Sequence, residues 1–151
     1  MHEGMSVRGR IHIALRNADG SLAHELTFPN FITDAGEAHI ADQLADAGET
    51  AMGYMAIGDS SGQAKTDTTL ANETARVALD STTQGSSGDD NDVVYVATFP
   101  AGTGTGTVSE VGVLNAATVG TLLNYSDQFS AFSKGAGQSA VVTVTLTIGT
   151  S

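Results

Sequence analysis

Val108-Ser109-Glu110-Val111-Gly112-Val113-Leu114-Asn115 decides how this chain is read. It is a β-strand pattern with one carboxylate set into an apolar run. Strand alternation places Val108, Glu110, Gly112 and Leu114 on one face, and Ser109, Val111, Val113 and Asn115 on the other. A carboxylate there is costly to bury unless hydrogen-bond donors or a cation meet it. The chain has only six Lys and Arg residues. One of them, Arg76, closes a second polar interruption, Thr69-Leu70-Ala71-Asn72-Glu73-Thr74-Ala75-Arg76. The pattern leaves two readings of Glu110, a catalytic acid or a structural lock.

The same alternation recurs outward from that stretch. Val142, Val144, Leu146 and Ile148 alternate with Thr143, Thr145 and Thr147 in the cleanest strand, 140–148. Residues 7–28 read as a hairpin around the turn residues Asn17-Ala18-Asp19-Gly20. Pairing 16 with 21 sets Leu15 against Leu22, Ile11 against Leu26, and His12 against Glu25 on the wet face. His24 then falls on the apolar face as a half-buried packing residue. Asp34 with Glu37 three residues on resembles a capping box, with Thr33 as the alternative cap. A short helix over about 34–45 follows, its stripe formed by Ala38, Ala41 and Leu44 with Ile40 beside it, and Gly48 ends it. Further strands are expected at 52–57, 75–81, 93–99, 108–114 and about 121–132. Polar loops fill 58–68 and 82–92. Six to eight strands, one helix and no βαβ rhythm indicate a mainly β protein: an antiparallel β-sandwich or jelly-roll-like domain. Its organisation reads as an N-terminal hairpin or attachment arm, 1–29, and a β-sandwich domain, 30–151, together forming one compact unit.

Composition narrows function. The 151 residues carry a net charge of −11, so direct binding to nucleic acid is not expected. Without Cys there is no disulfide, thiolate metal site or thiol nucleophile. No apolar run approaches the roughly 20 residues that span a membrane, and the first ten residues lack a signal-peptide core. Synthesis in a cytoplasm is expected.

Gly58-Asp59-Ser60-Ser61-Gly62 matches the nucleophile-elbow spelling. That motif needs a parallel sheet and a later His, yet the four histidines, 2, 12, 24 and 39, all precede Ser60. A glycine- and serine-rich loop is the simpler reading. Asp89, Asp90 and Asp92 form a weak Ca²⁺ candidate without the glycine and distal glutamate of an EF-hand. A solvated acidic loop is the better reading of them, and no metal or cofactor is expected. A glycosidase needs two carboxylates across a cleft, and Glu110 has no strand-borne acidic partner. The lock reading therefore prevails: Glu110 accepts Arg76 or backbone N–H groups and docks the loop before Ala75, with Glu73 completing the network. The chain is read as non-enzymatic.

Several of these pieces, in order, resemble a known group. They are Asn30-Phe31-Ile32-Thr33-Asp34-Ala35-Gly36, Met55-Ala56-Ile57-Gly58, the stretch 69–76, and Glu110-Val111-Gly112-Val113-Leu114-Asn115-Ala116, followed by the Thr/Val strand. The set, covering about 28–148, resembles small tailed-bacteriophage virion structural proteins. The resemblance implies a β-rich virion component without enzymatic activity. Its leading form is a capsid decoration (cement) protein bound to the major capsid protein or other virion proteins, as a homo-oligomer with a trimer favoured. A tail, neck or fibre-attachment protein is the alternative, and a small carbohydrate-binding β-sandwich is a third reading from another class. Arg8, Arg10 and Arg16 form the expected contact with an acidic partner.

Overall fold

The computed structural model describes residues 4–150. In chain order the elements are β1 (Met5–Arg16), β2 (Leu22–Ile32), α1 (Asp34–Ala45), β3 (Tyr54–Gly58), β4 (Glu73–Ala78), β5 (Ser81–Gln84), β6 (Asp92–Phe99), β7 (Gly106–Val108), β8 (Glu110–Leu114), β9 (Leu122–Ser126), β10 (Phe132–Lys134) and β11 (Ser139–Thr150). Nine strands form one antiparallel sheet in the order β4-β3-β8-β9-β2-β1-β11-β6-β5, and β7 pairs with β10 in a small ribbon. The protein is mainly β and sandwich-like, with its one described helix at the expected place.

Two chain segments turn the sheet into facing layers. β2 serves both: residues up to Asn30 pair with β1, whereas Phe31 and Ile32 pair with β9. On the other side, β4 and β5 are opposite edges of the sheet, yet only Leu79 and Asp80 separate them. The Leu79 N–H donates to the Gly53 carbonyl (2.9 Å) and the Asp80 N–H to the Val96 carbonyl (2.7 Å). The chain thus steps directly from one edge to the other. Between the layers, Ile11, Ile13, Val142 and Val144 share the buried core with Met55, Ile57, Val111 and Val113. Each such side chain contributes about 1.5–3 kcal/mol by leaving water.

In the layer built from β4, β3, β8 and β9, the strands β3, β8 and β9 are dry on both faces, whereas the edge strand β4 is partly exposed. The outer face of this layer carries Ala56, Leu114, Leu122 and Tyr125, and Leu70 from the 59–72 loop covers them. This places Glu110, at the head of β8, beneath a loop rather than in solvent.

The hairpin register differs from the expected one. Ile11 lies opposite Phe28, Ile13 opposite Leu26 and Leu15 opposite His24, whereas Arg16 lies opposite Leu22. One extra residue, Ala23, is therefore bulged out beside a turn closed by Asn17 N–H to Ser21 carbonyl (2.8 Å). A shift of two residues keeps the apolar faces together, which is why alternation alone could not detect it. His12 sits opposite Thr27 and reaches Glu25 diagonally (2.9 Å). Leu22, beyond the bulge, turns to solvent, and His24 is exposed with its ring beside Phe132.

The helix also differs in detail. Thr33 is the cap: its hydroxyl accepts from Gly36 N–H (2.8 Å) and donates to the Leu122 carbonyl (2.6 Å). The Asp34–Glu37 box does not form, and Glu37 instead pairs with Lys65. Gly36 and His39 form the buried face, while Ala38, Ala41 and Leu44 are exposed. The rotation follows from Gly36, where any Cβ would collide with the Leu123 carbonyl. The helix ends at Asp46, in the left-handed conformation with φ 51°, two residues before Gly48.

Several segment boundaries move, and the expected 75–81 strand ends at Ala78, with Ser81 already in β5. The stretch 121–132 is two strands, β9 and β10, rather than one. Part of the expected 82–92 loop is the edge strand β5, paired with β6. The 108–114 run breaks at Ser109, whose N–H donates to the Gly58 carbonyl (2.9 Å) and whose hydroxyl donates to the Ser60 carbonyl (2.8 Å). Val108 consequently joins the central core and not the face of Glu110.

Candidate functional site

Glu110 is fully buried. Its carboxylate accepts the Asn72 N–H at one oxygen (2.8 Å), and the Ala71 N–H (3.0 Å) and Tyr125 hydroxyl (2.7 Å) at the other. The charge is thus met by three donors and no cation, a pattern that stabilises a buried carboxylate. Gly58 makes room, since a Cβ there would overlap the carboxylate and the Asn72 carbonyl. Burial, then the bond to Glu110, pushes the Tyr125 phenol well above its ordinary range. The donors that meet Glu110 are thus the backbone of the loop before Ala75 and a tyrosine from β9.

Arg76 does not reach Glu110. It stands opposite Ala56, which in turn faces Gly112, two residues along β8 from the acid. Its guanidinium forms two hydrogen bonds with Glu73 (2.9 and 2.7 Å) and donates to the carbonyls of Ala116 (2.8 Å) and Val119 (2.9 Å). The expected single network is two separate clamps: Glu110 holds the 70–72 loop, and Arg76 with Glu73 holds the loop after β8. Sequence reasoning missed Tyr125. Its signal is a phenol in the apolar run Leu122-Leu123-Asn124-Tyr125, because a buried hydroxyl needs a partner.

The remaining motifs do not assemble a reaction centre. The Asp59 carboxylate accepts from Asn72 (2.6 Å), and the Ser60 carbonyl is held by Ser109. His12 faces Glu25 and His39 faces Glu49 (3.4 Å), so neither supports Ser60; His2 lies outside the described residues. Asp92 accepts from the Thr147 hydroxyl (2.6 Å), and the Asp90 carbonyl accepts from Gln84 (2.5 Å). Among the described residues no group of three or more acids and histidines is placed to hold a metal ion. No described helix is long and apolar enough to cross a membrane.

Arg8 and Arg10 project from one face of β1 beside Thr145 and Thr147 of β11, over an open concavity of about 570 Å³. Asp89 and Asp92 line the same hollow, so its charge is mixed. Arg16 is not part of it: it lies at the opposite end of β1 and donates to the Gly20 carbonyl (3.1 Å). The expected three-arginine cluster is therefore a pair and an outlier. β1 is paired along its length with β11 and over Gly9–Arg16 with β2, so Arg10 has a strand on both sides and Arg8 lies one residue past the β2 pairing.

No curated protein matches the chain. A family model described as phage tail-collar fibre protein, N-terminal, matches residues 25–150, from within β2 to the end of β11. The match supports the tail and fibre alternative and gives no support to capsid cement. It covers most of the chain, including the Glu110 centre and both clamps. The chain belongs to the phage tail-collar fibre protein family, through its N-terminal module, and is a tail- or fibre-associated structural component of a bacteriophage virion.

Proposed function

We propose that the chain is a non-enzymatic module that joins tail or fibre components, seating the Arg8–Arg10 face of β1 on an acidic patch of a neighbouring virion protein. The observation that carries this is the placement of two of the six basic residues side by side on a strand inside the sheet. A rigid platform loses little conformational entropy on docking. Asp89 and Asp92 at the edge of the hollow tune the contact: they disfavour a partner that presents carboxylates there and select one that presents them over the arginines. Copies of the chain associate with one another, with a trimer as the expected state, so that weak contacts add through avidity.

The test is incorporation of Arg8→Glu/Arg10→Glu into particles. Loss of the chain from purified tails, with unchanged folding, supports the reading. Full occupancy overturns it. Counting copies per virion separates the tail from the capsid: a small multiple of the tail symmetry is expected, whereas hundreds of copies would return the chain to the capsid shell.

A further inference from the structure

Val119 is held in a conformation that its own side chain opposes. Its φ is 58°, the left-handed region, which is an outlier for a β-branched residue. Val119 is 82% exposed, so no packing within the chain offsets the strain. The backbone is held instead. Arg76 grips the Ala116 and Val119 carbonyls, Glu73 orients Arg76, and the Thr121 N–H donates to the Asn115 side chain (2.7 Å). The structure thus fixes an apolar knob in solvent.

An apolar groove lies next to this knob. Asn115 donates to the Thr50 carbonyl (3.1 Å) and the Thr121 hydroxyl to Glu49 (2.7 Å), and the following residues, Ala51 and Met52, line the groove. Ile40, Leu44, Tyr95 and Ile148 complete its walls, around a space of about 270 Å³. Leu44 stands 79% exposed at its lip. Asp42, which accepts the Glu49 N–H (2.9 Å), Asp46 at the helix cap and Glu49 itself lie on the chain segment that carries Leu44 and leads to Ala51, and they repel acidic parts of another copy. The loop 115–121, Asn-Ala-Ala-Thr-Val-Gly-Thr, carries no charged side chain and can approach.

We propose that Val119 of one copy inserts into the Met52–Leu44 groove of the next. Knob and groove are different patches of the surface, so each contact joins unlike parts of two copies. The inference rests on the reading that copies of the chain associate.

Sedimentation of the full chain over rising concentration tests it. Wild type is expected to self-associate, and Val119→Asp and Leu44→Asp each to remain monomeric. Mixing the two variants restores one intact knob and one intact groove, so a 1:1 heterodimer is expected. Val119→Gly relieves the backbone strain, so its melting temperature is expected to rise while its association falls. A merely structural Val119 would not give that opposite pair of changes. Wild type that stays monomeric overturns both the association and the contact. Wild-type assembly that survives these substitutions, or a mixture that fails to pair, overturns the contact alone.

Discussion

Glu110→Gln is the sharpest probe of the buried carboxylate. The substitution keeps shape and volume but turns one oxygen into an NH₂. The amide is best oriented with its oxygen toward Ala71 and Tyr125, which leaves the NH₂ facing the Asn72 N–H. Two donors then oppose each other in a dry site, at a cost of about 1–3 kcal/mol. The two surviving bonds become neutral, losing about 1 kcal/mol each. Relief from burying a charge offsets part of this loss. The net destabilisation is about 2–4 kcal/mol, a large share of the 5–15 kcal/mol typical of a domain. At this chain length it lowers the melting temperature by roughly 5–15 °C. Urea titration should show a lower midpoint with an unchanged slope, because the fold still buries the same surface. A midpoint indistinguishable from wild type would refute the argument that the carboxylate docks the 70–72 loop.

The Tyr125 phenol gives a pH signature. Its folded pKa is raised, so the stability it contributes is complete below pH 10 and declines as pH rises beyond it, by up to about 1.4 kcal/mol per pH unit. Tyr125→Phe should shallow that decline without abolishing it, because burial raises Tyr95 as well; an unchanged alkaline slope in denaturation would contradict this. At the helix, Gly36→Ala forces a methyl against the Leu123 carbonyl and should cost about 1–3 kcal/mol by thermal melting, where an exposed helical Gly→Ala would stabilise. A stabilised Gly36→Ala would mean that helix and sheet are not in contact there.

Much of this fold is legible where one face of a strand is dry. Val142, Val144 and Leu146 alternate with threonines, and they are buried as that pattern requires. β5 is not legible, because Ser81-Thr82-Thr83-Gln84 is exposed throughout and shows no alternation. Strand order lies outside periodicity altogether, so the division of β2 between two layers left no local mark. The acid at Glu110 announces that donors must converge on it. Which donors come is hidden, because the N–H groups of Ala71 and Asn72 look like any others in sequence, while Arg76 attracts attention by its charge. The Val119 conformation is equally silent, since nothing in Ala-Thr-Val-Gly distinguishes a strained loop from a relaxed one.

The pairing of β1 with β11 has a kinetic side. Met5 to Arg16 meets Thr150 to Ser139 residue by residue, so the second strand neighbour of β1 is made more than a hundred residues after it. Such distant pairing delays folding until the intervening chain has collapsed around it. A nascent chain still lacking β11 leaves one edge of β1 unpaired and prone to stray association. The Arg8–Arg10 platform, whose floor is Thr145 and Thr147, does not exist until β11 is in place. Truncated or half-folded copies therefore lack the finished Arg8–Arg10 face, and under the docking role proposed above they would be left out of particles without a separate checking step.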